Sequence, residues 1–92
     1  MKEFYELYYD DDCPAYMLGR FAFKEWESTS LKYSKQKAKK IAQKMELEKG
    51  EYIILYHHYL PVGTNIRFFK DKYVLQKNDK GKITCKYIDT YM

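Results

Sequence analysis

Arginine is nearly missing from this 92-residue chain: of its seventeen cationic side chains, fifteen are Lys and only Arg20 and Arg67 are Arg. Proteins that read bases or clamp phosphates favour Arg, whose planar fork binds bidentately, so its scarcity weighs against sequence-specific nucleic-acid recognition. Cysteine is scarce as well. Cys13 and Cys85 would pair only if their strands became neighbours, and two cysteines are too few to imply an oxidising compartment. The four glycines, Gly19, Gly50, Gly63 and Gly81, are scattered at turns, ends and one strand, which excludes a glycine-rich phosphate loop. No run approaches the roughly eighteen uninterrupted apolar residues needed to span a bilayer. The longest candidate, Tyr52 to Leu60, holds two histidines and stops at Pro61. Glu3 and Glu6 stand where a signal peptide carries its apolar core, so the expected compartment is the cytoplasm.

What is abundant is aromatic surface and lysine. Seventeen aromatics, eleven of them Tyr, supply enough apolar area to fold, and the length fits one domain over residues 1–92. The formal charge of +4 is uneven: residues 1–30 carry three cations against seven anions, residues 31–50 seven against two, residues 51–92 seven against four. An acidic front thus precedes a basic middle. An AT-rich genome would encode the same excess of Lys and Tyr without functional selection.

Residues 2–9 are rich in aromatics and read as a strand, and a second follows over about residues 15–26, with Met17, Gly19, Phe21 and Phe23 on one face and Tyr16, Leu18, Arg20, Ala22 and Trp26 on the other. Between them Asp10-Asp11-Asp12-Cys13-Pro14 supplies turn chemistry, so the two strands form a hairpin. The period then changes. Ala38, Ile41, Ala42 and Met45 follow the i, i+3, i+4, i+7 spacing of an amphipathic helix. Ser34 fits its N-cap, with Tyr33 stapling onto Ala38; a start at Ser30 would add Leu31 to the stripe, and the two starts are equally compatible with the sequence. Gly50 fits the C-terminal stop. Tyr52 to Leu60 is a third strand. Ile66 to Phe69 and Tyr73 to Gln76 read as strand segments, or as one strand bent at Lys70 to Lys72. Asn78 to Gly81 is a turn, and Ile83 to Ile88 places Ile83, Cys85 and Tyr87 inward. The predicted fold is α+β: an antiparallel sheet of about five strands with one helix, in the order β-β-α-β-β-β.

No catalytic, cofactor-binding or metal site emerges. Asp10, Asp11 and Asp12 offer hard oxygen ligands but lack the ligand spacing and closing glutamate of a calcium loop, and read as a solvated acidic turn. His57 and His58 are adjacent on a strand and so point to opposite faces, unable to share one metal or proton. A Cys–His nucleophilic pair needs Cys85 or Cys13 beside one of them.

Two surfaces remain. The first is the helix, where Lys35, Lys37, Lys39, Lys40 and Lys44 crowd together and the acids Glu46 and Glu48 come last, against the helix dipole. Lys35/Lys39 and Lys40/Lys44 are like-charge i, i+4 pairs, each costing roughly 0.2–0.5 kcal/mol. The compensation is an anionic partner: the chain's own acidic hairpin with Glu6 and Asp10 to Asp12, nucleic acid, or an acidic protein. The second is a sheet face. One helix of about fifteen residues covers one face of five strands, yet Phe4/Tyr8 oppose Tyr5/Leu7/Tyr9 and Ile54/Tyr56 oppose Ile53/Leu55/Tyr59. Unless the sheet curls into a barrel, a tyrosine-rich face carrying Tyr5, Tyr9 and Tyr59 is left for a homodimer or protein partner.

In overall style, a compact Lys- and Tyr-rich chain, the sequence resembles accessory proteins of phages and mobile elements of AT-rich bacteria, which include inhibitors of host defence such as anti-CRISPR proteins. The resemblance implies a non-enzymatic module that binds and blocks a larger protein. The alternative is a nucleic-acid binder that sets lysines against phosphates and stacks Tyr or Trp26 on bases.

Overall fold

A computed structural model of the chain describes residues 3–10, 22–60 and 69–91. Five strands, β1 (Glu3–Asp10), β2 (Ala22–Glu27), β3 (Tyr52–Tyr59), β4 (Phe69–Lys77) and β5 (Ile83–Tyr91), and one helix, α1 (Leu31–Lys44), follow the predicted order. The strands form one antiparallel sheet in the order β2-β1-β3-β4-β5. Because β2 and β3 both flank β1 in antiparallel sense, α1 is the crossover that carries the chain from one side of β1 to the other. The helix therefore has to lie on a sheet face.

The pairing fixes which face. Tyr5 lies opposite both Trp26 and His57, Leu7 opposite Leu55, Ile53 opposite Leu75, and Leu55 opposite Tyr73. Paired residues share a face, so these side chains form one apolar layer. Tyr5, Leu7, Ile53, Leu55 and Leu75 are fully buried there, with Ala38 and Ala42 of α1 packed onto them. Each of the buried Leu and Ile side chains contributes about 1.5–3 kcal/mol relative to exposure. The small Ala38 and Ala42 let the helix axis approach the sheet.

Of the two compatible starts, Ser30 is the cap: its hydroxyl accepts from Tyr33 N–H at 3.1 Å. Ser34 sits one turn inside and fully buried, accepting from the indole Nε1 of Trp26 at 3.0 Å, which ties α1 to β2. The helix ends earlier than Gly50. Met45 is its C-cap and Glu46 takes the left-handed φ of +52°, while Gly50, at φ +93°, belongs to the turn leading into β3. The Asn78–Gly81 turn forms as predicted. Asn78 Oδ1 accepts from Lys80 and Lys82 N–H, and Gly81 supplies the left-handed residue at φ +80°. Residues 69–77 make one continuous β4, and the irregularity falls in its partner: Tyr87 pairs with Tyr73 and Asp89 with Lys72, which leaves Ile88 as the extra residue of a bulge. Most of the predicted second strand, the segment from Ile66 and the hairpin tip lie outside the described residues.

Candidate functional site: a lysine-lined groove

A sheet of five strands is about 19 Å wide at 4.8 Å per strand, and a helix covers about 10 Å of it. α1 packs mainly against β3, β4 and β5. The β2 side of the same face is left with a groove of about 560 Å3, lined by Lys24 from β2 and by Lys37, Lys40, Ile41, Lys44 and Met45 from one flank of α1. The spacing 37, 40/41, 44/45 is one helical flank, so these side chains must project together. Ile41 and Met45 are half-buried and pack against the core, forming an apolar floor beneath the ammonium groups.

The five helix lysines are thus divided. Lys37, Lys40 and Lys44 face the groove, with Lys37 Nζ resting 4.9 Å from the Trp26 ring centroid. Lys35 lies on the opposite flank, 4.6 Å over the ring of Tyr73, and Lys39 is exposed. Among the described residues none of these five, nor Lys24, forms an ion pair. Glu6 does not neutralise them: it lies on the opposite sheet face, where its Oε1 stands 2.5 Å from His58 Nε2 and its Oε2 accepts from the Tyr8 hydroxyl at 3.2 Å. Asp11, Asp12, and the side chains of Asp10 and Tyr9 lie outside the described residues, as does Cys13.

Sequence reasoning missed Lys24. Its signal was parity: in β2 it shares the face of Trp26 and stands opposite the core residue Leu7. A lysine at a core-facing position of an edge strand marks a place the helix does not cover.

The sheet-face expectation is corrected. Tyr5 is not on an open surface but fully buried beside α1, stacked between Trp26 (5.7 Å) and His57 (4.6 Å). Tyr59 shares that face beyond the helix and is half-buried, its hydroxyl donating to Asp71 Oδ1 at 3.3 Å. The physical reason is parity again. Both faces of β1 and β3 are aromatic, and the helix settles on the one with more aliphatic area, Leu7, Ile53, Leu55 and Leu75. The face opposite carries Phe4, Glu6, Tyr8, Ile54, Tyr56, His58, Lys70 and Val74, and no described element packs on it. There Phe4 stacks on His58 at 4.3 Å and Tyr8 meets Tyr56 edge-on at 5.2 Å. Burial, helped by Lys70, lowers the His58 pKa against the opposing pull of Glu6; burial and then Glu6 push Tyr8 up to about 12.

The histidines do point to opposite faces. His57 is buried on the helix side, with Nε2 3.3 Å from Glu3 Oε1 and Nδ1 3.5 Å from Asp71 Oδ2. Asp71 also accepts from Thr90 Oγ1 at 2.7 Å, and Thr90 is in turn hydrogen-bonded to the Tyr87 hydroxyl. The hydroxyls of Tyr59, Thr90 and Tyr87 are therefore engaged, and the network links β1, β3, β4 and β5 as a polar latch. Cys85 pairs with Leu75, which pairs with Ile53, two strands and four residues from His57. At strand spacings that is roughly 17 Å, too far for a Cys–His couple. Burial also pushes the Cys85 thiol up, outweighing Lys35 and Lys39. Among the described residues no group of His, Cys, Asp and Glu is arranged to hold a metal ion, and no helix is long and apolar enough to cross a membrane.

No family model matches the chain, and neither a curated protein nor a solved structure matches it.

Proposed function

We propose that this chain is a non-enzymatic module that binds an acidic surface of a larger protein through the lysine flank of α1. The observation that carries this reading is the isolation of the flank lysines: Lys37, Lys40 and Lys44 project together from one side of the helix, none with a carboxylate partner among the described residues. Intramolecular neutralisation, which would have removed the need for a partner, is not provided by Glu3 or Glu6. Both are taken by histidines.

A protein partner is favoured over nucleic acid by the aromatic residues. Non-specific binding of single strands needs exposed rings as stacking platforms. Tyr5 is in the core and Trp26 is held by Ser34 beneath Lys37, so the rings nearest the lysine flank are not free to stack; the exposed rings, Tyr33 on α1 and Tyr87 on β5, do not line the groove. A module that occupies an acidic patch can act by blocking it, which agrees with the inhibitor-like style of the sequence.

The test is a nuclease-treated pulldown from the native host with the wild type and with Lys37→Glu/Lys40→Glu/Lys44→Glu, alongside an electrophoretic shift assay at two salt concentrations. The reading expects a protein partner lost on charge reversal. Capture of nucleic acid by the wild type, with affinity falling steeply as salt rises, would replace it with the phosphate-binding alternative.

A further inference from the structure

Resting on that binding reading, we propose that the groove between α1 and β2 is a receptor for a short acidic segment carrying an aliphatic anchor. Carboxylates of the segment would be taken by Lys24, Lys37, Lys40 and Lys44, and one leucine-like side chain by Ile41 and Met45. Three observations lead here. The groove has four cationic walls and, among the described residues, no carboxylate in its lining. Its floor is apolar and half-buried rather than solvated, so a purely anionic occupant would leave Ile41 and Met45 unsatisfied while an aliphatic side chain would desolvate them. At about 560 Å3 it falls within the roughly 300–1,000 Å3 of pockets that hold compact ligands.

Phosphate polymers match less well. They offer charge along the whole strand and nothing aliphatic for the floor, and the one indole beside the groove is already covered by Lys37. A partner that only skims the outside of the helix is distinguishable as well, because Lys24 lines the groove from β2, across from the helix, whereas Lys39 lies away from it.

The probe is a fluorescein-labelled decapeptide holding two leucines among six Asp and Glu residues, followed by anisotropy at about 0.15 M salt, where exposed charges further apart than about 8 Å are screened. Its comparators are the same peptide with both leucines replaced by serine, and a single-stranded dT oligomer of equal charge. The protein is used as wild type and as Lys24→Glu, Lys44→Glu and Lys39→Glu, with circular dichroism confirming that each exposed substitution keeps the fold. The expected result is at least fivefold tighter binding of the leucine peptide than of either comparator. Lys24→Glu and Lys44→Glu should weaken it at least tenfold, and Lys39→Glu less than twofold.

Equal affinity for the serine peptide, equal affinity for the dT oligomer, equal damage by Lys39→Glu, or no binding of the leucine peptide would each overturn the assignment. The two readings also fail separately. A pulldown partner that is lost on reversing the helix lysines but is indifferent to Lys24→Glu removes the groove and keeps the module; no partner sensitive to helix charge removes both.

Discussion

Ser34 shows how much one side chain can hold together. Its backbone belongs to α1, its hydroxyl accepts the indole N–H of Trp26 in β2, and it is fully buried between them. Ser34→Ala leaves that N–H without its acceptor and should cost about 1–3 kcal/mol in urea unfolding. A cost within error of zero would show that the indole finds water instead. His58 offers a second prediction at this scale. Its pKa is lowered in the folded chain, first by burial, so the unfolded chain binds the proton more readily. The resulting stability is present above the ordinary value near 6.5 and is lost as pH falls below it towards the folded value. The urea midpoint should therefore decline between pH 7 and pH 5, and His58→Gln should flatten that decline. An unchanged slope would assign the dependence to other groups.

At the scale of elements, α1 is capped well at one end and poorly at the other. Ser30 satisfies the N-terminus, whereas Glu46 holds the left-handed position that glycine usually fills. Glu46→Gly should raise stability by about 0.5–1 kcal/mol, read as a higher urea midpoint with unchanged m-value. The helix stripe was legible in the sequence because 3.6-residue periodicity depends only on neighbours along the chain, as was the β5 alternation of Ile83 and Cys85 towards the core, whereas Tyr87, expected inward with them, is exposed on this edge strand. The cap was not. Ser30 and Ser34 satisfy the same local rule, and the choice falls to Ser30 because Trp26, on another element, claims Ser34. The bulge at Ile88 was equally hidden, since it exists only relative to the register of β4.

The whole molecule brings stability and binding into opposition. Lys40→Glu removes the Lys40/Lys44 repulsion and creates a Glu-to-Lys i, i+4 pair in the favourable orientation, for a gain of about 0.5–1 kcal/mol. If the lysine flank serves only solubility, the variant is simply a better protein. If it serves a partner, the same change that raises the urea midpoint weakens the complex. Measuring both on one variant separates the two, and a stabilised variant with undiminished partner binding would count against the proposed function. The groove itself is also a property of the whole. It opens because α1 lies over β3, β4 and β5, which leaves Lys24 of β2 facing a gap instead of a helix.

The sequence by itself determined the elements, their order and the antiparallel class, because these follow from periodicity, turn chemistry and chain connectivity. It also determined that the helix would repel itself. Only the tertiary structure decided which aromatic face is core, since β1 and β3 are apolar on both sides and one residue of parity moves Tyr5 from surface to centre. It likewise decided where the lysines go. Lys24 and Lys44 are twenty positions apart, and their meeting depends on the crossover that carries α1 over the sheet.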